Sequence, residues 1–330
     1  MAVSMADISK LRKMTGAGMM DCKKALEETN NDITAAIEII RKKGQAVAAK
    51  REDRDAAEGC CLGVANGDFA AILALKCETD FVAKNEGFVS LTKKLLNAAV
   101  AAKAKSIEEI KELTIDSQKV SDLIVEEIGK TGEKMELGAY EYIEAPSTVA
   151  YNHFGNKLAA IVGLNKADAD AQVAHEVAMQ VASMNPIAVN RESVPANIVE
   201  SERAVAIEKT KEEQVKKAVE AALKKAGFNL YISESEEHLN EGIMKGYITE
   251  AQAQEIRDLK EKVSAEKAAN LPAQMVENIA NGRVNKFYKT ACLMEQEFVK
   301  DPTMTIAQFL DKSQKGLEAI ALKRVNLNQD

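Results

Sequence analysis

The sequence predicts an α+β protein: a three-helix N-terminal unit, two αβ core halves with antiparallel sheets, and an arm of two long antiparallel helices. Three observations carry that prediction. Aromatic residues are only 4%, Trp is absent and Pro numbers 5, while Ala, Glu, Lys and Leu abound, which is the composition of a helix-rich chain. Strand-like runs flank Asn66-Gly67 and again Gly155-Asn156, the local chemistry of hairpins. The stretches that follow Pro195 and Pro272 carry apolar residues at helical spacing over many turns.

The elements follow in order. Residues 1–45 read as three short helices. The first, 8–14, is interrupted by Thr15-Gly16-Ala17-Gly18, because two glycines in four residues break a helix. The second, 19–29, places Met19, Cys22, Ala25 and Leu26 on one face. Asp32 is a good N-cap for the third, 33–43, which should stop at Gly44. Residues 46–55 form a charged linker or solvated helix. The first core half, 56–145, begins with the Asn66-Gly67 hairpin, both turn residues needing positive φ. A long helix to about Ala104 follows, with Phe88, Leu91, Leu95, Leu96 and Ala99 inward, then two helical segments and a strand over 135–143. The second half, 146–193, repeats the theme with a strand pair around Gly155-Asn156 and a helix over 169–184. The arm spans 194–300. One helix, 195–226, carries a seam of Ile198, Val205, Val215, Val219 and Leu223. A helical insert over 225–268 is broken near Gly242 and Gly246-Tyr247, and a helix returns from Pro272 burying Met275, Ile279, Phe287 and Met294. Residues 301–330 bring a last strand back to the second half.

Composition narrows the function. Hydrophobic residues at 46% and charged residues at 29% describe a soluble globular chain, and a net charge of −7 argues against general nucleic-acid binding. No secretion signal and no apolar run long enough to span a bilayer is expected. The five cysteines, Cys22, Cys60, Cys61, Cys77 and Cys292, are odd in number and have no metal-ligand spacing, so buried thiols in a reducing compartment are expected. His153, His175 and His238 lie far apart, and no metal site is read from them.

Two short segments remain as candidate sites. Thr15 to Asp21 lacks the Lys-Ser/Thr ending of a phosphate loop, so its glycines are read as a tight turn. Met19 and Met20 at that turn offer an adaptable apolar contact of the kind ubiquitin-associated domains use between helices. Thr79-Asp80-Phe81-Val82 sits where a strand meets a helix. On spacing alone Asp80 is an N-cap with Phe81 and Val82 as first-turn core; the functional alternative is a Phe presented at an exposed tip to another protein.

Residues 11–26, Leu-Arg-Lys-Met-Thr-Gly-Ala-Gly-Met-Met-Asp-Cys-Lys-Lys-Ala-Leu, resemble the N-terminal signature of the elongation factor Ts family. Residues 77–85, Cys-Glu-Thr-Asp-Phe-Val-Ala-Lys-Asn, resemble its second signature. The order of parts is similar too: a ubiquitin-associated-like domain, two core subdomains, a coiled-coil arm and a final strand. The insert over 225–268 is longer than in the shortest members, and the extra C-terminal helical module of some members is not expected. The resemblance implies a cytoplasmic guanine-nucleotide exchange factor that binds elongation factor Tu in its GDP-bound and nucleotide-free states. It implies no covalent catalysis, no cofactor, no direct nucleic-acid contact and no membrane. Thr79, Asp80, Phe81 and Val82 would then displace the elements holding Mg²⁺ in that GTPase, with Phe81 as wedge. Arg12, Met19 and Met20 would be contacts of the N-terminal domain and His153 a contact of the second core subdomain. The arm is also a candidate surface for a homodimer. The competing readings are a ubiquitin-associated-domain coiled-coil scaffold without exchange activity and, last, an enzyme built on Cys60, Cys61 or Cys77.

Overall fold

The computed structural model describes residues 3–328; Met1, Ala2, Gln329 and Asp330, at the extremes of the first and last expected segments, lie outside it. Helices are mixed with antiparallel sheets, and the chain divides into two compact units: Met1–Val189 with Leu293–Asp330, and Asn190–Cys292.

Helices α1 (Met5–Thr15), α2 (Met19–Glu28) and α3 (Ile33–Arg51) open the first unit around Ile8, Leu11, Cys22, Leu26 and Ala36. The Ser4 hydroxyl accepts from the Asp7 N–H at the start of α1, Gly16 closes that helix at φ 69°, and the Asp32 carboxylate caps α3 by accepting from the Ala35 N–H.

Strands β1 (Glu58–Asn66) and β2 (Phe69–Cys77) form the first hairpin. Its turn sits one residue later than the sequence suggests. Asn66 pairs with Phe69, and Gly67 alone takes positive φ (64°), the requirement of a II′ rather than a I′ turn. The helix expected next is two. A single turn, α4 (Asp80–Ala83), precedes α5 (Glu86–Ala102), which Asn85 caps by accepting from the Gly87 N–H. Helix α6 (Ile107–Glu112), the two-residue strands β3 (Thr114–Ile115) and β4 (Gln118–Lys119), and α7 (Val120–Thr131) lead to β5 (Met135–Glu144), which pairs antiparallel with β2.

The stop expected at Gly44 does not occur. Gly44 is buried inside α3 where α7 crosses it. A Cβ on Gly44 would lie 3.2 Å from the Val125 carbonyl oxygen, and one on Gly129 3.0 Å from the Gly44 Cα. The residue serves close backbone approach rather than termination.

Strands β6 (Ser147–Asn152) and β7 (Leu158–Leu164) and helix α8 (Ala171–Met184) begin the second half. The second unit starts after Val189 with α9 (Ala196–Lys225) and continues through α10 (Glu236–Met244), α11 (Glu250–Ala269) and α12 (Ala273–Ala291). Gly242 does not break α10: it lies within the helix, and a Cβ there would meet Ile232 Cγ2 at 2.9 Å. Two segments line α9. Its C-terminal part packs on α10 and α11 through Leu223, Leu239, Ala253 and Ile256. Its earlier part carries ion pairs to α12, Arg203 with Glu277 and Glu213 with Arg283. The seam also differs from the expected one: Val205 is exposed, whereas Ala206 and Thr210 are buried on α9 and Val276 and Ala280 on α12. Small residues take the places where two helices come closest.

The chain rejoins the first unit with β8 (Glu297–Phe298), β9 (Asp301–Thr305), α13 (Ile306–Ser313) and β10 (Ala319–Asn326), of which only the last strand is anticipated by the sequence. Strand β10 pairs antiparallel with β7, giving the sheet order β10-β7-β6 beside β1-β2-β5. Each sheet is a hairpin followed by a helix and, later, by a third strand on the hairpin's second member. The sheets face each other across Cys61, Ala70, Ile72, Ala74, Ala159 and Ile161. The outer face of the first packs on α5 and α7 through Leu73, Leu75, Phe88, Leu95 and Ile124. That of the second packs on α8 and α13 through Val162, Val177, Val181 and Leu310. Strand β2 is therefore covered on both faces, which is why its sequence reads as an apolar run without alternation.

Candidate functional site

The site is built at the end of β2. Cys77 closes the strand, and the chain turns at Glu78-Thr79 into the single turn α4. The cap of that turn is Thr79 and not Asp80: the Thr79 hydroxyl accepts from the Val82 N–H at 3.4 Å. Asp80 instead occupies the first helical position, where a carboxylate suits the positive end of the helix, and accepts from the Lys84 ammonium at 2.6 Å. That hydrogen bond, reinforced by the Lys84 charge, holds the Asp80 carboxyl below the usual carboxylate range. Val82 is half-buried against the first core and Ala83 is buried, so one face of the turn is anchored. Phe81 points the other way and is 84% exposed.

The base of this turn is fully engaged. The Glu133 carboxylate accepts from the Thr79 hydroxyl at 2.6 Å, the Thr79 N–H at 3.0 Å and the Glu78 N–H at 3.2 Å. The Glu78 carboxylate in turn accepts from the Lys134 N–H at 2.7 Å and from Arg54 Nη1 at 2.9 Å. Sequence reading misses Glu133 altogether; its only local mark is Gly132, which ends α7 at φ 73° and turns the chain back toward β2.

A second tip lies nearby. His153, Phe154, Gly155 and Asn156 join β6 to β7, and the Asn156 carbonyl accepts from the Cys61 N–H at 2.7 Å while Lys157 pairs with Glu58. Glu58 is the β1 partner of Cys77, so this turn and the Thr79 turn share one end of the core. His153 is exposed, and its Nδ1 lies 3.1 Å from the Tyr151 hydroxyl; His175 meets the same Tyr151 ring at 5.6 Å. Phe154, beside the Gly155-Asn156 turn and past the end of β6 at Asn152, is 97% exposed.

Arg12, Met19 and Met20 flank the turn between α1 and α2. All three are exposed, with Met19 at 47% and Met20 at 63%, so Met19 does not share the burial of Cys22, Ala25 and Leu26 with which the sequence groups it.

All five cysteines are buried. Burial pushes the Cys60 thiol up to about 11 and the Cys61 and Cys77 thiols up to about 12, the direction opposite to that of an activated nucleophile. Among the described residues no group of His, Cys, Asp and Glu is placed to hold a metal ion, and no helix is long and apolar enough to cross a membrane.

Comparison with known proteins gives a consistent answer. The family described as Elongation factor TS matches residues 78–329. Elongation factor Ts of Phocaeicola vulgatus is 54% identical over 331 residues, covering 100% of both chains. The proteins of the same name from Parabacteroides distasonis and Bacteroides fragilis are 53% and 50% identical, again over 100% of both chains.

Proposed function

The chain belongs to the elongation factor Ts family, whose members exchange guanine nucleotide on elongation factor Tu, and on that premise we propose that it does so by driving Phe81 into the GTPase as a wedge. The observation that carries this reading is an apolar ring, 84% exposed, on a turn whose base is held by hydrogen bonds. Bound GDP depends on a phosphate loop and on a Mg²⁺ that bridges its oxygens. A wedge that moves the elements holding Mg²⁺ weakens nucleotide binding, and by linkage nucleotide weakens the factor's binding to the same degree. The factor therefore accelerates release without acid, base, nucleophile or cofactor, and changes no covalent bond.

In this reading Thr79 sets the turn, Asp80 is the polar neighbour of the wedge and Val82 its inner anchor. Arg12, Met19 and Met20 bind the GTPase from a ubiquitin-associated-like domain formed by α1–α3. His153, with Phe154 beside it, binds from the second core subdomain. Helices α9 and α12 form the coiled-coil arm, with α10 and α11 in the helical insert between them. The protein acts in the cytoplasm on the GDP-bound and nucleotide-free GTPase, with no direct contact to nucleic acid or membrane. A second copy joined through the arm is the remaining partner, tested by sedimentation at micromolar concentration. The scaffold alternative finds no support, since relatives matched along the whole chain carry the name Elongation factor Ts.

Stopped-flow release of fluorescent GDP from elongation factor Tu, chased with unlabelled GDP, tests the reading. Release should accelerate with added protein and saturate. A rate that stays at the spontaneous value would refute it.

A further inference from the structure

We propose that Glu133 is a positioning residue for exchange: it fixes the direction in which Phe81 points, and the wedge works only while that clamp is closed. The inference rests on the exchange reading above and concerns a residue that touches neither nucleotide nor wedge.

The need for a clamp follows from size. Helix α4 has four residues, too few to hold themselves helical. Its outward face carries Phe81, which is 84% exposed and gains little orientation from packing. Direction must come from the base, and the base is Thr79. Each hydrogen-bonding group of Thr79 is used. The N–H and hydroxyl donate to Glu133, the hydroxyl accepts from the Val82 N–H, and the carbonyl accepts from the Ala83 N–H at 3.1 Å and the Cys77 thiol at 3.3 Å. One carboxylate spans both the strand end, through the Glu78 N–H, and the helical turn, through Thr79.

The clamp is reciprocal. Glu133 reaches across to residues 78 and 79, while the Glu78 carboxylate reaches back to the Lys134 N–H, and Lys134 Nζ donates to the Arg54 carbonyl at 2.8 Å. A wedge transmits force only if it does not swing when it meets resistance, and a charge-assisted lock at its root resists swinging. The Glu133 side chain sits where a carboxylate's acceptor-only character matches three donors; a carboxamide of the same shape keeps one strong acceptor and can donate to the Thr79 hydroxyl, so Glu133→Gln preserves the connection in weakened form.

The test is the GDP-release assay on full-length Glu133→Ala and Glu133→Gln, alone and with Phe81→Ala. A second readout is the fluorescence anisotropy of the indole introduced by Phe81→Trp, which is unique because the chain has no other Trp. Glu133→Ala should lower the limiting release rate about tenfold and leave the half-saturating concentration within about twofold. Glu133→Gln should recover to within about threefold of wild type. Glu133→Ala added to Phe81→Ala should cost nothing more, and added to Phe81→Trp it should lower the indole anisotropy. Should Glu133→Ala not fold, Thr79→Val, which keeps both N–H bonds to Glu133 but removes the hydroxyl that donates to it and caps Val82, replaces it in every arm. Wild-type release by the Glu133→Ala variant, losses that add to those of Phe81→Ala, or unchanged indole anisotropy would overturn the proposal while leaving the exchange reading intact. Wild-type protein that fails to accelerate release would overturn the exchange reading and this role with it.

Discussion

Phe81 and the cysteines make opposite uses of apolar character. Removing an exposed ring leaves no cavity, so Phe81→Ala should change unfolding free energy by less than ~0.5 kcal/mol. Exchange should slow about tenfold, since one wedge contact worth ~1.4 kcal/mol is a factor of ten. A melting curve and the GDP-release assay on the same preparation check both halves; marked destabilisation would mean that Phe81 is core. The thiols act through pH. In the unfolded chain they ionise near ~8.5, whereas burial holds Cys60 near about 11 and Cys61 and Cys77 near about 12 in the folded protein. A raised folded pKa contributes stability that is complete below the unfolded value and lost as pH rises toward the folded one. Unfolding midpoints in urea should therefore hold steady below about pH 8 and fall from ~8.5 upward. Replacing Cys61 with Ala should make that decline shallower, since it removes one of the thiols that burial holds un-ionised.

At the scale of elements, the crossing of α3 and α7 is a contact sensitive to one added methyl. Gly129→Ala adds about 1 kcal/mol of helix propensity, but its Cβ would stand 3.0 Å from the Gly44 Cα. Because the opposing atom is backbone, overpacking at ~1–3 kcal/mol outweighs the gain, and the urea midpoint should fall. A rise would show slack between the helices. This crossing also marks what the sequence can convey. Asp32 as a cap and Asn66-Gly67 as a hairpin are local chemistry and are legible, although cross-strand pairing moves the turn by one residue. Gly44 is not legible, because a glycine that ends a helix and one that admits a neighbour look alike until α7 is in place. Phe81 is legible as a choice between core and tip, which only its exposure decides. Glu133 lies 54 residues from Thr79, and no local pattern joins them. Strand β8 has two residues, and β9, Asp-Pro-Thr-Met-Thr, shows no apolar alternation, so neither is legible.

For the whole molecule, the junction of the two units is the informative place. The Leu293 N–H donates to the Ala188 carbonyl at 2.9 Å and the Met294 N–H to the Val189 carbonyl at 3.0 Å, so the chain leaves and rejoins the first unit at neighbouring points. Replacing Asn190–Cys292 by a short Gly-Ser linker should leave the first unit folded, because insertions are tolerated where the flanking backbone is already tied together. Cooperative two-state unfolding of that shortened protein, at a midpoint close to the parent's, is the expected result. A molten species would show that the second sheet needs the arm.

That same junction sets an order on birth. Strand β7 waits for β10, its partner at Leu322 and Lys323, until the ribosome has made every residue between. At synthesis rates of ~5–20 residues per second, the roughly hundred residues of the second unit take about 5–20 s to emerge. Throughout that interval one edge of β7 offers unpaired backbone groups, and the apolar face of α8 lacks Ile306 and Leu310. The nascent chain is most open to chaperones, and to neighbouring nascent copies of itself, in those seconds.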